Sequence, residues 1–544
     1  MGSVLGASWP VPDGQTCPCI NRLSWTAVTP ILLMLCLWPS SAKSQELTVP
    51  GQTPPTEIQE IELIYAGDQA VPKIIVRGRQ PANSFTLSSY RPSGPHLPLA
   101  TIPSAGNPID LCQAQQTSMV PPLRVRLTRK GTSPCEFTWS LRTSNTSLDA
   151  LSFHTLRVRG RTSSPLLITL VAESADQRQS TAEVGRVAGR FDVEFPLAPI
   201  ARQLDLRRLT QVKLLVEDDA DVVLEEYAWV NPAPSISPSP SVGFWYWDYR
   251  TAIRNPAGML SACRQHHCRR LLLQMPDMRD PDEVWTAYAA LFPATQAAGI
   301  ELFALDGAPD MIDTPAILVE KLTRLLTLVG NRGISGIQLD IEPYLLDGFP
   351  DDVTIFDRYL DTIERVNAAL GGRGRLSVVI PFWFTSTIHR NRPLAFTLID
   401  QVDEVAVMSY RTDVEELATI SEDTLRYGWL QGIPIWLAME TTRLLPERHV
   451  ILQREDDPAL ADGILDPVRR SLTLGRVAAE VQRHGGIWFR IHHDTTIDPE
   501  RLSFADRTRR DVRYAITRVF ANIRTPSFAG LLIHDLPSYL GLHE

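Results

Sequence analysis

Residues 335–343 read SGIQLDIEP, a short apolar stretch in which polar side chains fall on every second position. Strand side chains alternate between faces, so Gln338, Asp340 and Glu342 share one side while Ile337, Leu339 and Ile341 share the other. An isolated half-buried strand would put the polar set in water. Here the stretch belongs to a series of similar units, and the polar set is expected to stack in a closed interior with Glu342 at its rim.

Seven further apolar strands are legible: VGFWYWD (242–248), RLLLQM (270–275), IELFALD (300–306), LSVVIPFW (376–383), EVAVMSY (404–410), PIWLAME (434–440) and AGLLIHD (529–535). Amphipathic stretches lie between them, such as AILVEKLTRLLTLVG (316–330) and FDRYLDTIERVNAAL (356–370), with apolar residues spaced by three and four. Strand–helix units repeated eight times argue for a (β/α)8 barrel over residues 242–544. Residues 441–527 are too long for one connecting helix and are expected to form an inserted β or α+β element.

Proline and serine crowd the stretch NPAPSISPSPS (231–241), as in a semi-rigid linker. Before it, FHTLRVRG (153–160), LLITLVA (167–173), RFDVEF (190–195), QVKLLV (211–216) and DVVLEEYAWV (221–230) alternate with period two, the pattern of an antiparallel β-sandwich over 45–230. The run LDLRRLTQVKLLVEDDADVVLEEYAWV (204–230) resembles the closing strands of galactose-binding-like jelly rolls found in carbohydrate-binding modules, a resemblance that implies a sandwich and, weakly, sugar binding. Tyr90, Trp139 and Trp229 are its candidate sugar platforms, against a core role for each.

The apolar run TAVTPILLMLCLW (26–38), preceded by Arg22 and followed by PSSAKSQ, is too short to span a bilayer and has the layout of a signal peptide over 1–44. An uncleaved anchor is the alternative, and the chain is expected to be secreted, periplasmic or bound to the cell envelope. Three of the seven cysteines fall in that leader; Cys112, Cys135, Cys263 and Cys268 remain, enough for two disulfides in an exported chain. Cys112 with Cys135 is the easier pair. In CRQHHC (263–268), on an apparent helix, the spacing points the thiols apart, leaving a bridge at a frayed helix end, two buried thiols, or a metal site with His266 and His267.

Sixty-two acidic against 53 basic residues give a net charge of −9, without a basic patch to suit nucleic acid. With 44% apolar and 21% charged residues the composition is globular, and the 42 prolines suit many loops. Neither a phosphate-binding glycine loop, nor GxSxG, nor HExxH occurs, so nucleotide, serine-hydrolase and zincin chemistry lapse and no cofactor or metal is expected.

Barrel sites lie at the carboxyl ends of the strands. Those ends carry Asp248, Gln274, Asp306, Asp340, Glu342, Trp383, Tyr410, Glu440, His534 and Asp535. So many carboxylates in one mouth repel one another unless hydrogen bonds or function offset the cost. Asp248 and Asp306 also fit helix caps. Asp340 beside Glu342 would hold the latter protonated, as a general acid requires.

With these residues in view, SGIQLDIEP resembles the fourth-strand motif DGxDxDxE of family 18 glycoside hydrolases, keeping Gly336, Asp340 and Glu342 but with Ser335 and Gln338 where acids stand in the family. VMSYRTD (407–413) resembles that family's MxYD, with Arg411 in the last place. The resemblance implies Glu342 as acid, Asp340 orienting a substrate N-acetyl group as internal nucleophile, and Tyr410 bonding that group. IEP (341–343) is also similar to the NEP of a large clan of retaining barrel glycosidases, which would make Glu440, at the end of the seventh strand, a nucleophile.

The expected function is hydrolysis of a glycosidic bond in an extracellular or envelope polysaccharide. Glu342, Asp340, Tyr410 and Glu440 are the catalytic candidates, and Asp248, Asp306, Gln338, Trp383, Arg411, His534 and Asp535 the substrate-binding ones. Trp383 with Trp245 or Trp247 would stack on sugar, and RIHHD adds His492, His493 and Asp494 as possible polar contacts. The departures at Ser335, Gln338 and Arg411 motivate the alternative, a noncatalytic carbohydrate-binding or scaffold protein.

Overall fold

A computed structural model describes residues 149–216, 220–231 and 240–544, apart from short gaps at 331–332, 347–348, 350–351, 353, 445–446, 467–470 and 475–486, together with seven strands between Ser44 and Trp139. The signal-like segment, the linker at 232–239 and Tyr90 lie outside the described residues. So do the side chains of Cys112, Cys135, Trp139, His492, His493 and Asp494.

Eight parallel strands close into a barrel, in chain order: β1 (Ser241–Tyr246), β2 (Cys268–Gln274), β3 (Glu301–Asp306), β4 (Gly336–Leu339), β5 (Arg375–Pro381), β6 (Glu404–Met408), β7 (Ile435–Glu440) and β8 (Phe528–His534). All eight apolar runs of the sequence are barrel strands. Parallel strands covered by helices are buried on both faces, which explains their near-continuous apolar character. Every residue of β4, β6 and β7 is buried.

Helices at Pro315–Val329 and Thr354–Leu370 follow β3 and β4, matching the expected amphipathic stretches. After β6, the helix Val414–Gln431 is capped by Asp413, which accepts from the Glu416 N–H, and stops at Gly432 in the left-handed conformation that glycine tolerates. Between β7 and β8 lie strands at Glu447–Arg454, Gly463–Asp466, Ser471–Leu474 and Ile487–Ile497, then a helix at Arg509–Asn522 with a Thr508–Asp511 capping box. Strand Pro72–Gly78 pairs with Glu447–Arg454, so this sheet draws on both sides of the linker.

In the first part, Thr155–Ser174, Gln179–Pro196, Leu209–Val216 and Ala220–Val230 form an antiparallel sheet. Two stretches expected as separate strands, 153–160 and 167–173, are one continuous strand. Pairing to its neighbour skips from Thr162 to Leu166, and Pro165, with no N–H to offer a ladder, sits in that irregularity. The opposing layer of a sandwich would draw on residues 45–148, whose side chains lie outside the described residues. Trp229 is half-buried, 6.0 Å from the Phe153 ring.

The sheet is fixed to the barrel by polar contacts. Arg207 donates to Asp423 at 2.7 Å and to the Thr385 carbonyl at 3.0 Å, and Arg426 to Asp149 at 2.7 Å. Cys263 and Cys268 are bridged, because the helix ends at Gln265 and His267 turns left-handed, bringing the Cα atoms to 4.8 Å. The bridge, rather than a metal, is what joins that helix end to β2. Among the described residues no group of three metal-ligating side chains comes together, and no helix is long and apolar enough to cross a membrane.

Candidate active site

β4 ends at Leu339, and the chain then carries Asp340 and Glu342 over the barrel mouth. The Asp340 N–H donates to the Asp306 carbonyl at 2.9 Å. Gly307 lies so close that a Cβ there would meet the Asp340 carbonyl oxygen at 2.0 Å, so a glycine is required where the ends of β3 and β4 cross. That approach fixes the backbone of Asp340.

Both carboxyls are half-buried. Burial raises the Asp340 pKa to about 6, opposed by the charge of His534. Glu342 is pushed well above the usual carboxyl range by burial and then by Asp340, opposed by a hydrogen bond from the Tyr344 hydroxyl at 3.0 Å. Two like charges close together in a poorly solvated place do not ionise together, so the pair favours a single proton. Oδ1 of Asp340 is sealed from solvent without a hydrogen-bond partner among the described residues.

Around the pair stand aromatic groups. Tyr344 meets Trp383 edge-on at 5.1 Å, Trp383 meets Phe384 at 4.7 Å, and Phe349 closes the cluster. Trp383 is half-buried, and its indole N–H has no acceptor among the described residues. Tyr410, at the end of β6, is 5% exposed, and burial together with Glu440, Asp340 and Glu342 lifts its phenol well above the ordinary range.

The other strand-end polar groups are engaged elsewhere. Asp248 is exposed and caps Tyr249–Arg254 through the Thr251 N–H at 2.9 Å, and Asp535 caps Leu536–Gly541 through the Ser538 N–H at 2.9 Å. Asp306, 4% exposed, is ion-paired with Lys321 of the following helix and accepts from the Gly307 N–H. Gln338, fully buried, accepts from the Trp245 indole at 2.6 Å and donates to Ser377 at 2.9 Å. Arg411 is buried and donates to Glu416 at 2.7 Å and to the Tyr410 carbonyl at 2.8 Å, away from Glu342.

Glu440 is fully buried; one oxygen accepts from the Thr442 N–H at 2.6 Å and hydroxyl at 2.7 Å, and the other from His534 Nδ1 at 2.9 Å. Burial opposes a charge on His534, but the charge and hydrogen bond of Glu440, with the charges of Asp535 and Asp340, together hold the imidazole up at about 9.

Sequence reading did not single out Tyr344 or Lys321. Tyr344 could have been found two positions after Glu342. Lys321 lies in LVEKLTRLL, where it reads as a solvated helix position.

No family model matches this chain, and no curated protein does. Solved structures with similar barrels include a family 18 chitinase from Chromobacterium violaceum (12% identity, 58% of this chain and 83% of that one, TM-score 0.33). The spore cortex-lytic enzyme of Bacillus cereus matches at 11% identity over 58% of this chain and 76% of that one, TM-score 0.32. A xylanase from Clostridium thermocellum matches at 7% identity over 78% and 87%, TM-score 0.27. These neighbours are glycoside hydrolase barrels, but likeness at this level carries no functional argument, and a tryptophan synthase barrel matches as well at TM-score 0.24.

Proposed function

We propose that the chain is an exported glycoside hydrolase acting on an extracellular or envelope polysaccharide, with Glu342 as general acid. One observation carries this reading: among the described strand-end carboxyls, Asp340 and Glu342 alone form neither an ion pair nor a helix-capping hydrogen bond. An unpaired buried carboxyl costs stability, which marks such a group as functional.

In the proposed reaction neutral Glu342 gives its proton to the glycosidic oxygen as the bond to the anomeric carbon breaks. A nucleophile must then meet that carbon. Glu440 suits this poorly, being sealed from solvent and held by Thr442 and His534. The nucleophile therefore comes from the substrate, and the carbonyl oxygen of a neighbouring N-acetyl group fits. Asp340, with its unsatisfied Oδ1, would accept the amide N–H and stabilise the positive charge that develops there. Tyr410 would donate to the acetyl oxygen, and Trp383 would pack under the sugar. Ionised Glu342 then takes a proton from the attacking water, restoring the acid.

In this reading residues 1–44 direct export and the β-rich part at 45–230 precedes the barrel as a supporting or sugar-binding module. A second reading, a carbohydrate-binding protein without turnover, is favoured by Gln338 and Arg411, which stand where the family resemblance expects acids and make internal contacts instead. New reducing ends released from chitin, its deacetylated polymer and β-glucan separate the readings. Release from the acetylated polymer, lost in Glu342→Gln, supports hydrolysis; retained binding without release supports the second.

A further inference from the structure

His534 ends β8 and Glu440 ends the adjacent strand β7, so the closed barrel sets them side by side. Nδ1 of the ring meets both Glu440 oxygens, at 2.9 and 3.1 Å, and the His534 carbonyl accepts from the Thr441 N–H and hydroxyl. Ring and backbone are both held. Nε2, on the opposite edge, makes no hydrogen bond among the described residues.

The ring faces the barrel interior. Trp245 and Trp247 of the β1 end meet it edge-on at 6.0 and 6.4 Å, and Tyr410 lies 6.4 Å away. Trp245 in turn bonds Gln338, which precedes Asp340 by two positions on the inner face of β4. One indole therefore separates the imidazole from the strand that carries the acid pair.

We propose that Glu440 and His534 form a positioning pair for that acid pair: Glu440 orients the ring and keeps it cationic, and the cation favours the arrangement with Asp340 ionised and the proton on Glu342. The inference rests on the proposed acid role of Glu342 and adds what decides which carboxyl carries the proton. Glu440 of β7 bonds the ring and Tyr410 lies beside it, β1 contributes indoles, and the charges that act on it from farther off are Asp535, the next residue, and Asp340, just past β4. Glu440, Asp535 and Asp340 all favour the cation. The reciprocal effect of His534 is to lower the Asp340 pKa against its burial.

The test uses the full-length protein with 13C-labelled aspartate carboxyls and ring-labelled histidine, Asp340→Asn assigning the Asp340 signal. In the parent, His534 is expected to stay protonated through pH 8. In His534→Gln the Asp340 midpoint should rise by about one pH unit or more, the effect expected when a neighbouring cation is lost. The acid limb of any turnover profile should move with it, with kcat falling more than KM rises. Glu440→Gln should lower the His534 midpoint and raise that of Asp340. A neutral His534 at pH 7 in the parent, or an unmoved Asp340 midpoint in a folded variant, overturns the proposal. Because titration needs no turnover, an inactive parent with these shifts would refute hydrolysis and leave the pair standing; if neither variant folds, the parent's His534 titration decides.

Discussion

At the amino-terminal end of the barrel, Arg270 is 2% exposed and lies between the rings of Phe303 and Trp436, at 4.3 and 4.1 Å. It pairs with Glu404, itself 1% exposed, and with Glu301 at 2.7 Å, while Arg375 reaches both carboxylates from outside. At the other end Asp340 and Glu342 sit half-buried, without an ion pair among the described residues. One barrel thus buries charge in two ways. Where every charge has a partner the arrangement closes the base of the fold, and where two carboxyls are left together they favour a single shared proton, which the proposed reaction would use.

The contrast breaks most readily at Glu342. Glu342→Gln keeps the shape but has no transferable proton, so turnover should fall by about 10²–10⁴-fold with unchanged circular dichroism. At the base, Glu404→Ala leaves Arg270 short of a buried partner and should cost about 3–5 kcal/mol in urea unfolding, with turnover per folded molecule intact.

Asp340 joins the two measurements. Its folded-state pKa of about 6 lies above the unfolded value, so the stability it contributes is present at low pH and lost as pH rises through 6. Asp340→Asn should therefore lower turnover yet be more stable than the parent at pH 7.5, on the order of 1–2 kcal/mol after allowing for solvent at the mouth, and no more stable at pH 3.5. The smallest effect belongs to a carboxyl that the mouth does not use: Asp248→Ala loses a helix cap worth about 1 kcal/mol and should leave turnover unchanged.

Much of this was legible in the sequence, for physical reasons that also mark where it stopped. Buried parallel strands must be apolar runs, and all eight runs are strands, although β1, β4, β5 and β6 end two or three residues before the runs do. Alternation placed Asp340 and Glu342 together, and helix starts gave the capping option for Asp248. Pairings between elements distant in sequence were hidden. Lys321 looks solvated until the helix packs on β3, and Glu440 meets His534 only because β7 and β8 pair across the long insertion between them, setting residues 94 apart in sequence side by side. Arg411 reads as a substrate contact, and its pairing with Glu416 appears only in the fold. The alternating runs 153–160 and 167–173 read as two strands, whereas one strand, Thr155–Ser174, spans both, with an irregularity in pairing where Pro165 sits.

The most direct test is the release of new reducing ends from an N-acetylated glucosamine polymer by the purified protein, beside Glu342→Gln and the fully deacetylated polymer. Release from the acetylated polymer alone, abolished in the variant, is the expected result. Equal release by parent and variant, or no release from any polymer in a broad panel, would contradict it.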